Sequence, residues 1–400
     1  MAKALTLEVA VVGGGPAGLT AAVALAQAGV ETALVAPRPA ADNRTTALLA
    51  GSVTALETLG VWAGCAAQAA PLRVLRIVDA TARLVRAPEA RFAASELGLD
   101  AFGHNIENRH LVAALDARAR QLPSLARIED EARAVEIGNS SVTIAFKGGK
   151  VTARLAIGAD GRRSMCRTAA GIETDGRRYP QTALTFNLGH SRPHDDTSTE
   201  FHTESGPFTL VPLPGRRSSL VCVVEPAQAK RIAALDGAAL DEEIERRSHS
   251  ILGKVTTEPG RGTIPLAVAT ARRFADNRIA LVGEAAHLIP PIGAQGLNLG
   301  LRDAATIGEI VVTARRRGGD VGASDLLARY DALRRADVRS RTLAVDLLNR
   351  TLLTDFLPVQ TARGFGLYLI DRIGPLRRAV MREGVMPSAA QPRLMRGEML

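Results

Sequence analysis

The chain has 400 residues, of which 46% are hydrophobic and 23% charged, and it carries a formal net charge of +9. That length is more than one simple core accommodates, so two interwoven domains are expected from an ordinary globular composition. An aromatic content of 3% argues against the base-stacking surfaces of single-strand nucleic-acid binders, and no nucleic-acid partner is expected. The basic residues are dispersed, with only short runs such as Arg315, Arg316 and Arg317, which fits an anionic membrane surface or plain solubility. Cys65, Cys166 and Cys222 form no CxxC pair and cannot all be disulfide-bonded, which points to a reducing cytoplasm.

In chain order, residues 8–12 read as a buried strand and are followed by Gly13-Gly14-Gly15-Pro16-Ala17-Gly18. An alanine- and leucine-rich helix over 19–28 ends at Gly29, and 30–35 is a second strand. A G-x-G-x-x-G run alone is weak evidence. Between a strand and a helix it supplies a tight turn, close backbone approach to a pyrophosphate and close helix–strand packing. The uncharged stretch between Glu8 and Glu31 has the length of a membrane span, but the glycines and Pro16 break it after a short strand. One part of the dinucleotide pattern is missing: Ala36, followed by Pro37 and Arg38, stands where an acid for the ribose is expected.

Residues 42–49 are polar, then apolar, and lead into a helix at 51–59, with Arg44 either a cofactor contact or a solvated loop residue. Alternating residues at 72–85 take the chain out of the first domain. It returns at Asn108-Arg109-His110-Leu111, which opens a helix over 111–120. Residues 142–146 and 151–157 are expected to form a hairpin around Gly148-Gly149. A buried strand then ends in Gly158-Ala159-Asp160-Gly161, and Ser164 and Arg167 open a helical turn. An aspartate at a strand's C-terminal end sits where open α/β sheets bind ligands.

Residues 182–188, 199–211 and 218–224 alternate polar and apolar and are expected to form the antiparallel sheet of a second domain, turned at Pro214-Gly215. Phe186, Phe201, Phe208 and Leu210 are candidates for a substrate cavity or for ordinary core. His190, His194, Asp195, Asp196 and His202 match no familiar ligand spacing, so no metal site is expected. Residues 278–303, RIALVGEAAHLIPPIGAQGLNLGLRD, run from a buried strand through Gly283, Pro290-Pro291 and a glycine loop at 293–296 into a long helix from Leu297. A small-residue loop at a helix N-terminus offers backbone amides and a positive dipole end to an electron-rich cofactor. Beyond Gly318-Gly319, apolar residues recur at helical spacing over 324–369. The run 343–369 reads as a basic amphipathic helix that lies in a membrane interface or covers the first domain.

Taken together, three of these segments resemble the single-component FAD-dependent aromatic monooxygenases, and within them the ubiquinone-biosynthesis hydroxylases. Gly13, Gly15, Pro16, Ala17 and Gly18 look like the FAD pyrophosphate loop. Residues 154–167, with Asp160, resemble the Asp-Gly motif that serves FAD and NAD(P)H. Gly283, Glu284, Pro291, Gly293, Gln295, Gly296, Leu297 and Asn298 resemble the flavin-side motif. Arg44 and Arg109 join the cofactor-binding candidates. Two positions depart from the family, Ala36 and Glu284, where an aspartate is usual at the ribityl contact.

The resemblance implies bound FAD, transient NAD(P)H, and O₂ activated as a flavin hydroperoxide that hydroxylates the ring of a polyprenyl phenol. Pro291 would lie on the peroxide side through its backbone carbonyl, and His287 is more often structural than a base in this motif. It further implies a peripheral position at the inner membrane and room for a quinone-biosynthesis complex. A prenyl double-bond reductase and a non-catalytic subunit of such a complex are the alternatives. The expected fold is α/β. A Rossmann-like FAD-binding domain with a parallel sheet (1–71, 104–171, 273–320) is interwoven with an antiparallel-sheet substrate domain (72–103, 172–272) and followed by C-terminal helices (321–400).

Overall fold

A computed structural model describes residues 3–39, 42–82, 86–291, 293–353, 366, 372–385 and 391–400. The chain enters as β1 (Lys3–Val12), crosses through α1 (Pro16–Gln27) and returns as β2 (Thr32–Val35). There follow β3 (Thr45–Leu49), α2 (Ala50–Thr58), β4 (Ala69–Pro71), β5 (Val74–Asp79), β6 (Ala90–Ala93) and β7 (Gly103–Glu107). Next are α3 (Asn108–Arg120), β8 (Leu125–Ile128), β9 (Ala132–Ile137), β10 (Val142–Phe146), β11 (Gly149–Gly158) and α4 (Met165–Ala169). The middle of the chain forms β12 (Thr174–His190), β13 (Thr197–Thr203), β14 (Gly206–Leu213) and β15 (Arg217–Val224). Then come α5 (Pro226–Ala233), α6 (Gly237–Arg247), β16 (Val255–Thr257) and β17 (Gly262–Ala271). The chain continues through β18 (Ala275–Asp276), β19 (Ile279–Leu281), β20 (His287–Leu288), α7 (Gln295–Arg316), α8 (Ser324–Leu353) and α9 (Gly374–Val385).

Among the described residues the first sheet runs β18-β19-β11-β1-β2-β8, with β10 attached to β11 and β9 to β10. Its inner strands are parallel, and Val12 is level with both Gly158 and Val35, while Gly158 is level with Leu281. Four strands, β1, β2, β11 and β19, thus end side by side, the geometry at which open parallel sheets bind ligands. Both faces are covered, so the last four residues of β1 and most of α1 are apolar: Val9, Val11, Leu19, Val23 and Leu25 are fully excluded from solvent. The expected hairpin is the antiparallel β10–β11 pair.

The second sheet runs β20-β17-β12-β15-β14-β13-β5-β6, antiparallel except for β13 with β5. Its two faces have different jobs. Phe186, Phe201, Phe208 and Leu210 all point to one face, where they pack with Ala229, Ile232, Leu240 and Ile244 of α5 and α6. The alternate positions form the opposite face, which meets the small β3-β7-β4 sheet: Asn105 Nδ2 on β7 donates to Pro212 O at 2.9 Å and lies 3.1 Å from Ser219 Oγ. The four apolar residues are therefore core, and the substrate-cavity reading of them is corrected. The expected single strand over 199–211 is two strands, because Gly206 (φ +140°) turns the chain where a Cβ would lie 2.7 Å from Val223 Cγ1.

His190 and His194 meet edge to face, ring centres 5.6 Å apart, but the ring nitrogens are engaged elsewhere. His190 contacts Arg192 O and Ser218 Oγ, His194 contacts Leu213 O, and His202 Nε2 sits 2.8 Å from Glu200 Oε1. Of the amphipathic run at 343–369, residues 354–365 and 367–369 lie outside the described residues.

Burial holds the His190 imidazole below the ordinary histidine value, and burial together with the Arg73 charge does the same for His104. For a histidine whose folded value is depressed, the unfolded chain takes up the proton first. Stability is then complete above about pH 6.5 and falls as pH drops below it. The melting temperature is expected to be lower at pH 5.5 than at 7.5, with His104→Gln flattening the slope. A melting temperature that holds or rises on acidification contradicts this assignment.

Candidate FAD site

The loops leaving three of the four level strand ends, those of β1, β11 and β19, interlock through glycines. Gly13 has φ +113°, and a Cβ there would lie 2.2 Å from the Ala159 carbonyl oxygen. A Cβ on Gly18 would lie 2.1 Å from Gly13 O and 2.9 Å from Ala159 Cβ. The fingerprint turn and the Asp-Gly turn therefore touch through backbone. On the other side Gly283 (φ +63°) packs against Ala17 and Gly300, where a Cβ on Gly300 would sit 3.2 Å from Gly283 Cα. This contact brings α1 and α7 against the end of β19.

Gly15, Gly293 and Gly296 behave in the opposite way: a Cβ on any of them would meet nothing within 4 Å. They face open space. No side chain caps the N-terminus of α1 at Gly15 or of α7 at Ala294. Glycine-lined space over two uncapped helix starts, at the ends of parallel strands, is a cradle for a pyrophosphate at one end and an electron-rich ring at the other. The residues present fit an FAD molecule.

Asp160 is engaged locally: Ser164 Oγ donates to Oδ1 at 2.5 Å and the Cys166 amide to Oδ2 at 3.0 Å, so the carboxylate shapes the turn into α4. Arg167 ties this turn to the next one by donating to Arg162 O and Ala285 O. Glu284 is half exposed and pairs with Arg162, Nε to Oε2 at 3.0 Å, so its carboxylate leans toward the Asp-Gly turn. Arg44 is bound through two nitrogens to Asp42 and lies in the field of Glu284, and both contacts raise its guanidinium value. Arg109 is held by Glu107 at 3.0 Å, and Glu107 is buried beneath it with Asn187 as a further donor.

Ala36 is buried against the fingerprint, where a Cβ on Gly14 would lie 2.9 Å from its own. An acid near that strand end is Glu129, after β8, which Arg38 and Arg120 hold at about 2. Pro291 is exposed and Leu297 is partly buried at the first turn of α7.

Asn298 holds the flavin-side turn to the first domain. Its Oδ1 accepts from the Leu49 amide (2.9 Å) and Ser52 Oγ (2.7 Å), and its Nδ2 donates to Ala47 O (2.8 Å) and Ala294 O (2.6 Å). Asn298→Leu keeps the shape and removes all four bonds. It is expected to cost about 2–4 kcal/mol in urea unfolding, because buried backbone groups lose their partners. A loss below about 0.5 kcal/mol would show that water replaces the amide.

Sequence reasoning missed a buried charge cluster behind this turn. Asp303 is fully buried and accepts from the Gly283 amide (2.9 Å) and Arg334 Nε (2.6 Å), with His287 Nε2 2.7 Å away. Burial pushes its carboxyl up, but His287, Arg334 and the hydrogen bonds outweigh that and hold it below the ordinary aspartate value. His287 is thus a structural partner of Asp303. The available signal was a histidine and an aspartate on either side of the glycine loop.

The FAD binding domain family matches residues 6–343. The chain is 37% identical to the ubiquinone hydroxylase UbiL of Rhodospirillum rubrum, over 98% of this chain and 92% of that one. It is 33% identical to the 3-demethoxyubiquinol 3-hydroxylase of Escherichia coli, over 94% and 97% of the two chains. The fold is shared with p-nitrophenol 4-monooxygenase PnpA of Pseudomonas putida, at a TM-score of 0.78 and 20% identity over 96% of this chain and 100% of that one. With the glycine cradle at the converging strand ends, these relationships give one result: this chain belongs to the FAD-dependent aromatic monooxygenases, in the group of the ubiquinone-biosynthesis hydroxylases.

Proposed function

We propose that this enzyme hydroxylates the aromatic ring of a polyprenyl phenol intermediate of ubiquinone synthesis, with NAD(P)H and O₂ as co-substrates. The observation that carries the reading is the glycine-lined space at Gly15, Gly293 and Gly296, bounded by two uncapped helix N-termini. When bound, FAD supplies the redox chemistry with NAD(P)H and O₂. Gly13, Gly15, Pro16, Ala17 and Gly18 hold its pyrophosphate on the α1 amides. Arg44, Arg109, Asp160, Gly283 and Glu284 line its middle. The backbone around Pro291, Gly293, Gln295, Gly296, Leu297 and Asn298 faces the ring, where the first amides of α7 favour negative charge. The protein contributes position and dryness: it orients the substrate ring and keeps out the water that would waste the activated oxygen.

The substrate ring is assigned to the face of the second sheet that turns toward the first domain. Thr209 on β14 shares that face with Glu200 on β13, whose Oε2 accepts from Thr209 Oγ1 at 3.3 Å, and both are partly exposed. Such groups suit a phenol oxygen. Membrane attachment fits the net charge of +9 and the exposed Ile373, just before α9, and Leu376 and Val380 on it, near Arg378 and Arg382 in sequence. No helix among the described residues is long and apolar enough to cross a bilayer. With one dinucleotide fingerprint in the chain, NAD(P)H visits transiently.

The test is direct. Purified protein should carry FAD and oxidise NAD(P)H faster when a prenylphenol is added, with a hydroxylated product in proportion. Peroxide without organic product across a panel of such phenols would overturn the reading.

A further inference from the structure

The flavin-side turn is held at both ends by one helix that the hydroxylase reading does not use. Arg334, Asp337 and Arg341 lie at i, i+3 and i+7 on α8, a spacing that lines them along one face. Arg334 reaches Asp303 and through it the Gly283 amide, where the turn begins. Arg341 Nη1 donates to Gln295 Oε1 at 3.2 Å, and Gln295 Nε2 donates to Gly293 O at 3.0 Å, where the turn ends.

Asp337 does not depend on Arg341 for its neutralisation. Asp337 already accepts from Arg334 Nη1 at 2.7 Å and Arg302 Nη1 at 3.2 Å, before Arg341 Nε joins at 3.1 Å. In this cluster three guanidiniums face two carboxylates, Asp303 and Asp337, and Glu383 of α9 is 3.9 Å from Arg341. Within hydrogen-bond distance, the partner that Arg341 shares with neither Arg302 nor Arg334 is Gln295. That partner sits at a place where tethering matters. Gly293 and Ala294 are both left-handed, at φ +65° and +54°, a conformation that costs a non-glycine residue such as Ala294 about 1–2 kcal/mol. A Cβ on Gly293 or Gly296 would meet nothing within 4 Å, so among the described residues the turn relies on side-chain tethers from Gln295 and Asn298.

We propose that Arg341 is a positioning residue for the flavin end of the cofactor. Acting through Gln295, it fixes the Gly293-Ala294 turn that aims the first amides of α7. This rests on the FAD reading of the site.

A double-mutant cycle on FAD affinity, read by flavin fluorescence in the full-length protein, tests the assignment. R341M and Q295A are each expected to weaken FAD binding about tenfold, the size of one charge-assisted hydrogen bond. If Arg341 acts through Gln295, the double variant is no weaker than the weaker single variant. R341K, which keeps the charge without the fork, should fall between wild type and R341M. Additive losses, about a hundredfold in the double variant, or an unchanged affinity in R341M, overturn the assignment. A wild-type protein that takes up no FAD ends the flavin reading itself, which separates the two failures. Should R341M fail to fold, the cycle of R341K with Q295A carries the same test, with the same coupling expected and additivity again the contrary result.

Discussion

Asp303→Ala is expected to lower stability by about 3–5 kcal/mol and to release bound FAD, the largest single-residue effect in this structure. The carboxylate is completely buried, and the Arg334 side chain beside it is only 3% exposed. Removing the acid strands a guanidinium Nε, the Gly283 amide and His287 in the interior, where water cannot replace it. Both ends of the flavin-side turn depend on the same cluster, so cofactor loss should accompany the loss of stability. Asp303→Asn tests whether the charge matters beyond the shape, since the amide offers one acceptor oxygen to three donors. The folded carboxyl titrates below the unfolded value of about 3.9. Its contribution is therefore full above that pH and is lost as pH falls through the folded value. Urea unfolding at pH 7 that shows less than about 1 kcal/mol of loss would mean the cluster relaxes around the gap.

Gly13→Ala should yield protein that folds poorly and binds FAD at least about a hundredfold more weakly. Its Cβ would lie 2.2 Å from one backbone atom and 2.5 Å from the next, on a residue with φ +113°. The turn must open, at about 2–4 kcal/mol for strain and overpacking together. Gly15→Ala is the instructive comparison. Gly15 has φ −71°, and a Cβ there meets nothing within 4 Å, so the apo protein should melt as wild type does. It should still lose FAD affinity, because the methyl fills the space that the cofactor enters. Equal FAD binding by Gly15→Ala and wild type would move the pyrophosphate away from this loop.

These two residues also show what was legible in the sequence and what was not. The fingerprint and the small-residue loop are local devices. Chirality and close approach force glycine at Gly13, Gly18 and Gly283 whatever surrounds them, so the parallel-sheet FAD fold could be read from 400 letters. The Asp303 cluster joins His287 to Arg334, 47 residues apart by numbering, and depends on how α8 packs; nothing in the local pattern reports that. The faces of the second sheet were ambiguous for a related reason. Phe201 and His202 are both buried, so alternation alone does not say which side meets α5 and α6. Asp160 was legible as an acid at a strand end, but its bonds to Ser164 and Cys166, which shape the turn into α4, were not.

The central claim is that this chain uses FAD to place one oxygen atom from O₂ on the ring of a prenylphenol. The most direct measurement is a turnover of the FAD-loaded enzyme with NAD(P)H and a prenylphenol under ¹⁸O₂, followed by mass spectrometry of the product. One labelled oxygen on the ring, with NAD(P)H consumed in step, is the predicted result. A product formed equally well without O₂, or one whose new oxygen comes from water, would contradict it.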